Sequence, residues 1–367
     1  MADTHAITQD PRRRNLLVLA GIALVMVVFA VFALVRQSQE VAPHYQPHSF
    51  LPGLASEVRD VAHIRLVSKS GTVDVQFKPD KGWVVTTHND YPASFEHVRE
   101  TLVGLAALET IEPKTARADW LHYLDLDPPP KGEGVAITLQ DGQGRTLASI
   151  VTGKNVEIGD ASGAVGLFVR QADSDQSWLV RSVYQPKADV KEWLDKQVVD
   201  VDLARIQEVD VNPADGPSYE IRRDKPNVAD LNLVDIPKGR EIAYPGVTDG
   251  VAGAVTGFTF DDVQPAKNFD FSDGAHVARI VTHTFDGLTV TVNTIQKGQD
   301  YWATVSAEGA SGKPQAQKQA RTIDSHTSGW AYKLPPYKGH QFMTTLESLL
   351  KSPPTPATPA APATPRK

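Results

Sequence analysis

The chain has 367 residues, a formal net charge of −7 at pH 7 and no cysteine. The lack of cysteine excludes disulfide bonds, thiolate metal sites and cysteine nucleophiles, and the acidic balance argues against nucleic acid as a partner. A hydrophobic content of 41% is enough for ordinary folded cores. The length suits two modest domains better than one.

The first element in the chain is an uninterrupted apolar run, LLVLAGIALVMVVFAVFALV, from Leu16 to Val35. A helix of this length covers about 30 Å, which matches the hydrocarbon core of a bilayer. Arg12, Arg13 and Arg14 precede the run, so the positive-inside rule predicts a cytoplasmic stub over residues 1–15 and an exported body. We therefore predict a single-pass protein of a bacterial inner membrane with a periplasmic body. The alternative, a cleaved signal peptide, usually has a shorter apolar core of about 7–15 residues.

Segments of biased composition flank the body at both ends. Residues 36–50 carry two prolines and little periodicity, which predicts a stalk between membrane and body. Residues 353–367, PPTPATPAAPATPRK, have the composition of an extended polyproline II tail. This tail is predicted to be disordered, and the alternative is an arm that spans the cell wall or docks a partner.

Residues 51–197 are predicted to form a first α+β module. Alternating runs predict strands at Ala62–Val67, Thr72–Phe77, Gly82–Val85, Val135–Leu139 and Thr146–Val151. Between Tyr91 and Pro113 the pattern predicts an amphipathic helix with Pro92 in its first turn. Its predicted buried stripe consists of Phe95, Val98, Leu102, Leu105 and Leu108. An aromatic strand from Trp178 and a closing amphipathic helix complete the module.

Residues 198–352 repeat this order in a second module. Predicted strands are Ala204–Val209, Ser218–Arg222, Ala278–His283 and Leu288–Val292, with a helical stretch from Tyr244 to Pro265 and a closing helix after Trp330. We interpret the body as two tandem related modules of antiparallel sheet with packed helices; a chance resemblance between two α+β modules is the alternative. Four glycines at positions 246, 250, 253 and 257 weaken the second helix. These glycines either allow another helix to pack closely against this one, or the second module has lost helix stability without a functional reason.

The sequence contains no pattern typical of metal binding or catalysis. His44 and His48 lie among prolines, and no His-Glu-x-x-His or Gly-x-Ser-x-Gly motif occurs. The run GASGK, Gly309–Lys313, departs from a phosphate-binding loop, and we expect a surface loop between the last strands. We predict no catalytic, cofactor-binding or metal-binding residue and no cofactor, so the protein is not expected to be an enzyme.

Several polar and aromatic residues have two interpretations. The carboxylates Asp125, Asp127, Asp261 and Asp262 are expected on solvated faces or as helix caps, with glycosidase chemistry as a minor alternative. Trp83, Trp178, Trp302 and Trp330 are expected to pack in cores, with sugar stacking as the alternative. His97 is expected on the solvated face of the first amphipathic helix.

Sequence stretches after the apolar run occur in an order that resembles a known family. They are LPGL (Leu51–Leu54), VRDVAHIRL, GWVV, the YPAS-opened helix, Leu124–Pro128, TLASIVTGK, GLFVRQ and Glu192-Trp193-Leu194. This order is similar to the domain-of-unknown-function family 4340, over most of Leu51 to about Val211 and more loosely beyond. Members are N-terminally anchored bacterial proteins, and many are described as auxiliary components of an ABC-type transport system associated with gliding motility. No catalytic residues come with the family's motifs.

The resemblance implies a partnership with ABC transporter permease and ATPase subunits. We therefore expect a non-enzymatic, membrane-anchored periplasmic accessory or scaffold protein. The alternative is an envelope module that binds carbohydrate or peptidoglycan between its two halves.

Overall fold

The computed structural model describes residues 21–31, 45–159, 163–226, 228, 230–272 and 276–352. Residues 21–31 are helical (α1), and all of their side chains are exposed. The rest of the predicted membrane segment, residues 16–20 and 32–35, lies outside the described residues, as do the predicted stub 1–15 and tail 353–367. Among the described residues, no helix is both long enough and apolar enough to cross a membrane.

The body is an α+β fold with two antiparallel sheets. The first sheet contains β1 Val61–Ser68, β2 Gly71–Lys78, β3 Gly82–Val85, β4 Tyr91–Pro92, β5 Glu109–Pro113, β6 Val135–Asp141, β7 Thr146–Val156, β8 Val165–Gln171 and β9 Ser177–Ser182. The second contains β10 Ile206–Asn212, β11 Tyr219–Arg222, β12 Asn232–Leu233, β13 Asp262–Pro265, β14 Val277–Thr284, β15 Leu288–Lys297, β16 Asp300–Gly309 and β17 Trp330–Leu334.

Helices of varied length connect and cover the strands. They are α2 Leu54–Glu57, α3 Phe95–Ala106, α4 Val190–Trp193, α5 Val247–Ala252, α6 Pro314–Thr327, α7 Pro336–Phe342 and α8 Leu346–Leu349. Short 3₁₀ helices span Val58–Asp60, Thr86–His88, Ala118–Leu124, Leu203–Arg205, Gly253–Val255 and Ala266–Asn268.

The order of strands is the same in the two sheets. It is β4-β3-β2-β1-β6-β7-β8-β9-β5 in the first and β12-β11-β10-β14-β15-β16-β17-β13 in the second, so β1 corresponds to β10 and β4 has no counterpart. An irregularity in register also recurs, between Val61 and His63 in the first sheet and between Ile206 and Glu208 in the second. These features define equivalent positions, and His63 in β1 corresponds to Glu208 in β10.

Helix α3 is shorter than the predicted helix at both ends, since it ends at Ala106 and the predicted helical residues Glu109–Pro113 form β5. Tyr91 and Pro92 form a short strand, and the side chain of Ser94 caps the helix by accepting a hydrogen bond from the His97 amide at 3.2 Å. Placing Pro92 in the first helical turn was therefore wrong. Phe95 was wrongly assigned to the buried stripe, because this first helical residue is 67% exposed. The remaining predicted stripe residues, Val98, Leu102, Leu105 and Leu108, are buried.

Helix α6 was missed, and the run 309–313 leads into it instead of linking two strands. Its buried residues are Ala316, Ala320, Ile323 and Thr327. This stripe has helical spacing but small side chains, so its hydrophobic signal is weak. The predicted closing helices are shorter than expected, because α4 has four residues and the last segment divides into α7 and α8.

Two other segments differ from expectation. The end of the predicted stalk belongs to the body, because Phe50 is buried and Ser49 pairs with Glu109. The second predicted helix is reduced to α5 and a 3₁₀ turn, and two of its four glycines have a backbone role. Gly246 and Gly257 have φ values of 78° and 53°, a left-handed conformation that favours glycine.

Candidate functional site

The two sheets meet through aromatic side chains centred on Tyr91. Tyr91, at the edge of the first sheet, is 2% exposed. Its ring centroid lies 5.1 Å from that of Trp330, 5.9 Å from Phe260 and 6.3 Å from Tyr332, all in edge-on geometry. Edge-to-face contacts at these separations are favourable beyond the area they bury. Buried apolar side chains of both sheets accordingly form one contiguous core.

Polar contacts surround this aromatic contact between the two sheets, which we call the joint. His88 Nε2 lies 3.2 Å from Asp262 Oδ1, and Lys191 Nζ lies 3.8 Å from Asp261 Oδ1. Lys196 Nζ donates to the Phe260 carbonyl at 2.8 Å and lies 3.9 Å from the centre of the Phe260 ring. Asp261 and Asp262, expected on solvated faces, therefore connect the two halves of the body.

The segment between the sheets is also fixed by hydrogen bonds. Asp200 accepts a hydrogen bond from the Gly257 amide at 2.8 Å, and Thr256 donates its hydroxyl to the Val201 carbonyl at 2.6 Å. Lys338 is buried and donates to the carbonyls of Ala254 at 3.0 Å and Thr256 at 2.8 Å. These bonds occupy carbonyls at the end of the 3₁₀ turn that would otherwise lack partners.

Burial changes the protonation of groups at the joint. It lowers the pKa of Lys338, against the opposing charge of Asp200, and it lowers the pKa of Lys196, against Asp261. Burial also raises the pKa of Tyr91 and of Tyr332. For Asp262, burial acts upward, but the hydrogen bond from His88 and the Val263 amide hold the pKa below its ordinary value. The carboxylate of Asp262 is thus kept charged at the joint.

A pocket of about 700 Å³ opens beside the joint. Trp83 and Phe95 line it from the first half of the body and Trp330 lines it from the second. Phe77 also lines it, is 45% exposed and packs edge-on against Trp83 at 5.7 Å. Carboxylates in the lining are Asp80, Asp90 and Asp195. Exposed aromatic faces beside hydrogen-bonding groups suit an uncharged amphipathic ligand such as a sugar ring.

The outer faces of the two sheets carry histidine–carboxylate clusters at equivalent positions. In the first sheet, His63 Nε2 lies 2.5 Å from Asp74 and its Nδ1 lies 2.8 Å from Gln140. In the second sheet, ligand atoms of Glu208, Asp210 and His283 all lie within 4.8 Å of one another. The latter set was not anticipated, because Glu208 and His283 come together only by pairing of β10 with β14.

The other tryptophan and histidine residues singled out in the sequence do not come together in a single site. Of the four tryptophans expected in cores, Trp302 is buried, while Trp83, Trp178 and Trp330 are half-buried. His97, expected on a solvated face, is half-buried and packs edge-on against Trp193 at 4.5 Å. Burial lowers the pKa of His97, against the charge of Glu192. His48 contacts Thr110, and His44 lies outside the described residues.

Comparison with known proteins identifies one family. Its model, described as "Domain of unknown function (DUF4340)", matches residues 83–269, half of the chain. The match begins at Trp83 in β3 and ends at Phe269, so it includes Tyr91, Phe260 and the segment that joins the sheets. No curated protein and no solved structure gives a significant match.

Proposed function

The chain belongs to the family of the domain of unknown function DUF4340, and we propose that it is a non-enzymatic, membrane-anchored accessory or scaffold protein of an ABC-type transport complex. In this proposal residues 16–35 anchor the chain in an inner membrane and the body faces the periplasm. The two halves of the body are copies of one duplicated module, which the matching strand orders support. Transporter subunits are proposed as partners because the family resemblance implies them.

The close aromatic packing around Tyr91, which joins the two sheets, is the main observation that supports this proposal. A scaffold must hold its contact surfaces in a fixed arrangement, and loosely linked domains would move relative to each other. Here aromatic packing and hydrogen bonds connect the halves, as the contacts of Tyr91 and Lys196 illustrate. The joint supports a body that presents one rigid surface.

Helix α3 offers a surface for such a partner. Phe95 is 67% exposed and Val103 is 53% exposed. They lie at i and i+8 with Arg99 between them, so they occupy one face of the helix. We infer that these two apolar side chains, which flank the exposed Arg99, contact the partner.

The proposal predicts that transporter subunits co-purify with the full-length chain. We expect affinity purification from detergent-solubilised membranes to recover a permease and an ATPase. Exchanging both Phe95 and Val103 for serine should weaken partner binding by about thirtyfold if each exposed group contributes about 1 kcal/mol. Tyr244→Ser, at an exposed position of the second half, is the matched control. Repeated recovery of the wild-type chain alone would contradict the proposal.

The pocket of about 700 Å³ favours a second candidate function, binding of carbohydrate or peptidoglycan. Phe77 and Trp83 would stack on sugar rings while nearby carboxylates accept hydrogen bonds from hydroxyl groups. The detergent-solubilised chain should then sediment with purified sacculi. Phe77→Ala should weaken this sedimentation about tenfold, and Tyr337→Ala, an exposed aromatic residue outside the pocket lining, should not. Equal sedimentation of Phe77→Ala and wild type would eliminate this candidate.

A further inference from the structure

The outer face of the second sheet brings two carboxylates and an imidazole together. Glu208 in β10 lies directly opposite His283 in β14, and Asp210 follows two residues later on the same face. His283 Nε2 is 3.3 Å from Asp210 Oδ2. All three side chains therefore project from paired strands whose backbones fix their spacing. We propose that Glu208, Asp210 and His283 bind a divalent transition-metal ion of the zinc type.

The neighbouring strand orients the imidazole of His283. Thr289 in β15 lies directly opposite His283, and its Oγ1 is 3.0 Å from His283 Nδ1. With a proton on Nδ1 donated to Thr289, the lone pair of Nε2 points towards the carboxylates. An outer partner that fixes the tautomer in this way is a regular feature of histidine metal ligands.

The site is open to solvent. The side chains of His283 and Asp210 are 38% and 51% exposed, so an ion can reach them and complete its coordination with water. Asp210 also borders a surface pocket of about 600 Å³ that Glu220, Asp235 and Arg279 line. One imidazole and two carboxylates are a ligand set that zinc accepts, and three protein ligands plus water are typical of an open zinc site.

The charge at the cluster favours a cation. Arg222 Nε donates to Glu208 Oε2 at 3.1 Å, and this leaves Glu208 Oε1 to face the ion. Arg222 also forms an ion pair with Glu220. The single positive charge of Arg222 is thus shared between Glu208 and Glu220. Asp210 adds a further negative charge to the cluster.

The first sheet provides an internal comparison. Its equivalent positions hold His63, Arg65 and Gln140, as the shared strand order and register irregularity show. Arg65 places a positive charge where the second sheet has Asp210. Both nitrogens of His63 are already occupied, by Asp74 and Gln140. The first sheet therefore has a closed hydrogen-bond network in place of a metal site.

Titration of chelator-treated full-length chain in detergent with ZnCl₂, followed by calorimetry, tests the proposal. We expect one saturable site in the wild type. His283→Gln installs the residue type of Gln140 and should weaken binding by more than about 100-fold, while Thr289→Val should weaken it by about 10-fold. Cobalt in place of zinc should give visible absorption bands in the wild type that His283→Gln lacks.

His63→Gln is the matched control and should leave Zn²⁺ affinity unchanged, with circular dichroism confirming that each variant is folded. Lack of a saturable site in the folded wild type would overturn the proposal. Equal affinity of His283→Gln and wild type would overturn it as well, because Zn²⁺ would then bind elsewhere.

Discussion

Replacing Tyr91 with alanine is expected to lower the free energy of unfolding by about 3–5 kcal/mol, the range for an aromatic residue removed from a core. Tyr91 contacts Phe260, Trp330 and Tyr332 across the joint between the sheets. Its loss leaves a cavity between two parts of the body that are otherwise in contact. We therefore expect the variant to unfold in two steps, with the halves no longer coupled.

Urea unfolding of the detergent-solubilised chain, followed by tryptophan fluorescence, measures this effect. Tyr91→Phe is the control, since it keeps the ring and removes the hydroxyl, which donates to the Asp195 carbonyl at 3.0 Å and also interacts with the Tyr332 side chain. That variant should lose about 1 kcal/mol and keep a single transition. If alanine and phenylalanine at this position are equally stable, the aromatic contacts do not hold the sheets together.

Trp193→Ala is expected to have a comparable effect, about 3–5 kcal/mol, but to act mainly on helix α3. Trp193 is fully buried, and its indole nitrogen donates to the Lys187 carbonyl at 3.3 Å. Its ring packs edge-on against His97, and its carbonyl accepts a hydrogen bond from the amide of Ser94 at 2.8 Å. Trp193 thus contacts both the first turn of α3, through His97, and its N-cap residue, Ser94.

Hydrogen exchange read by mass spectrometry localises the effect of Trp193→Ala. Amides of α3 should lose at least as much protection as amides of β15, because unfolding of the whole body exposes both sets and local opening exposes α3 alone. Trp193→Phe, which refills part of the space, should recover about half of the lost stability. A smaller loss of protection in α3 than in β15 would show that Trp193 does not act through the helix.

Several strands were predictable because their residues alternate between the core and solvent, but β5 and β13 lie in segments that were predicted to be helical. β2 and β15, for example, lie close to the predicted runs at Thr72–Phe77 and Leu288–Val292. The helices were harder to predict. The start of α3 depends on the cap formed by Ser94, which adds no hydrophobic periodicity. The buried face of α6 has two alanines, one threonine and a single large apolar residue, Ile323, so its periodic signal is weak.

The candidate sites could not be located from the sequence, because they depend on contacts between distant residues. Tyr91 contacts Trp330 only when both sheets have formed, and no local sequence pattern predicts that contact. The same holds for Glu208 and His283, which strand pairing brings together. No metal ligand was predicted because short motifs, such as paired histidines on a helix, do not describe ligands that come from separate strands.

We infer that the two sheets form one cooperative body joined at Tyr91. Native-state hydrogen exchange tests this inference by comparing the most protected amides of β1 and β6 with those of β14 and β15. The structure predicts the same opening free energy for both sets, because the halves share one core and unfold together. A clearly lower value for one sheet, with the other still protected, would contradict it.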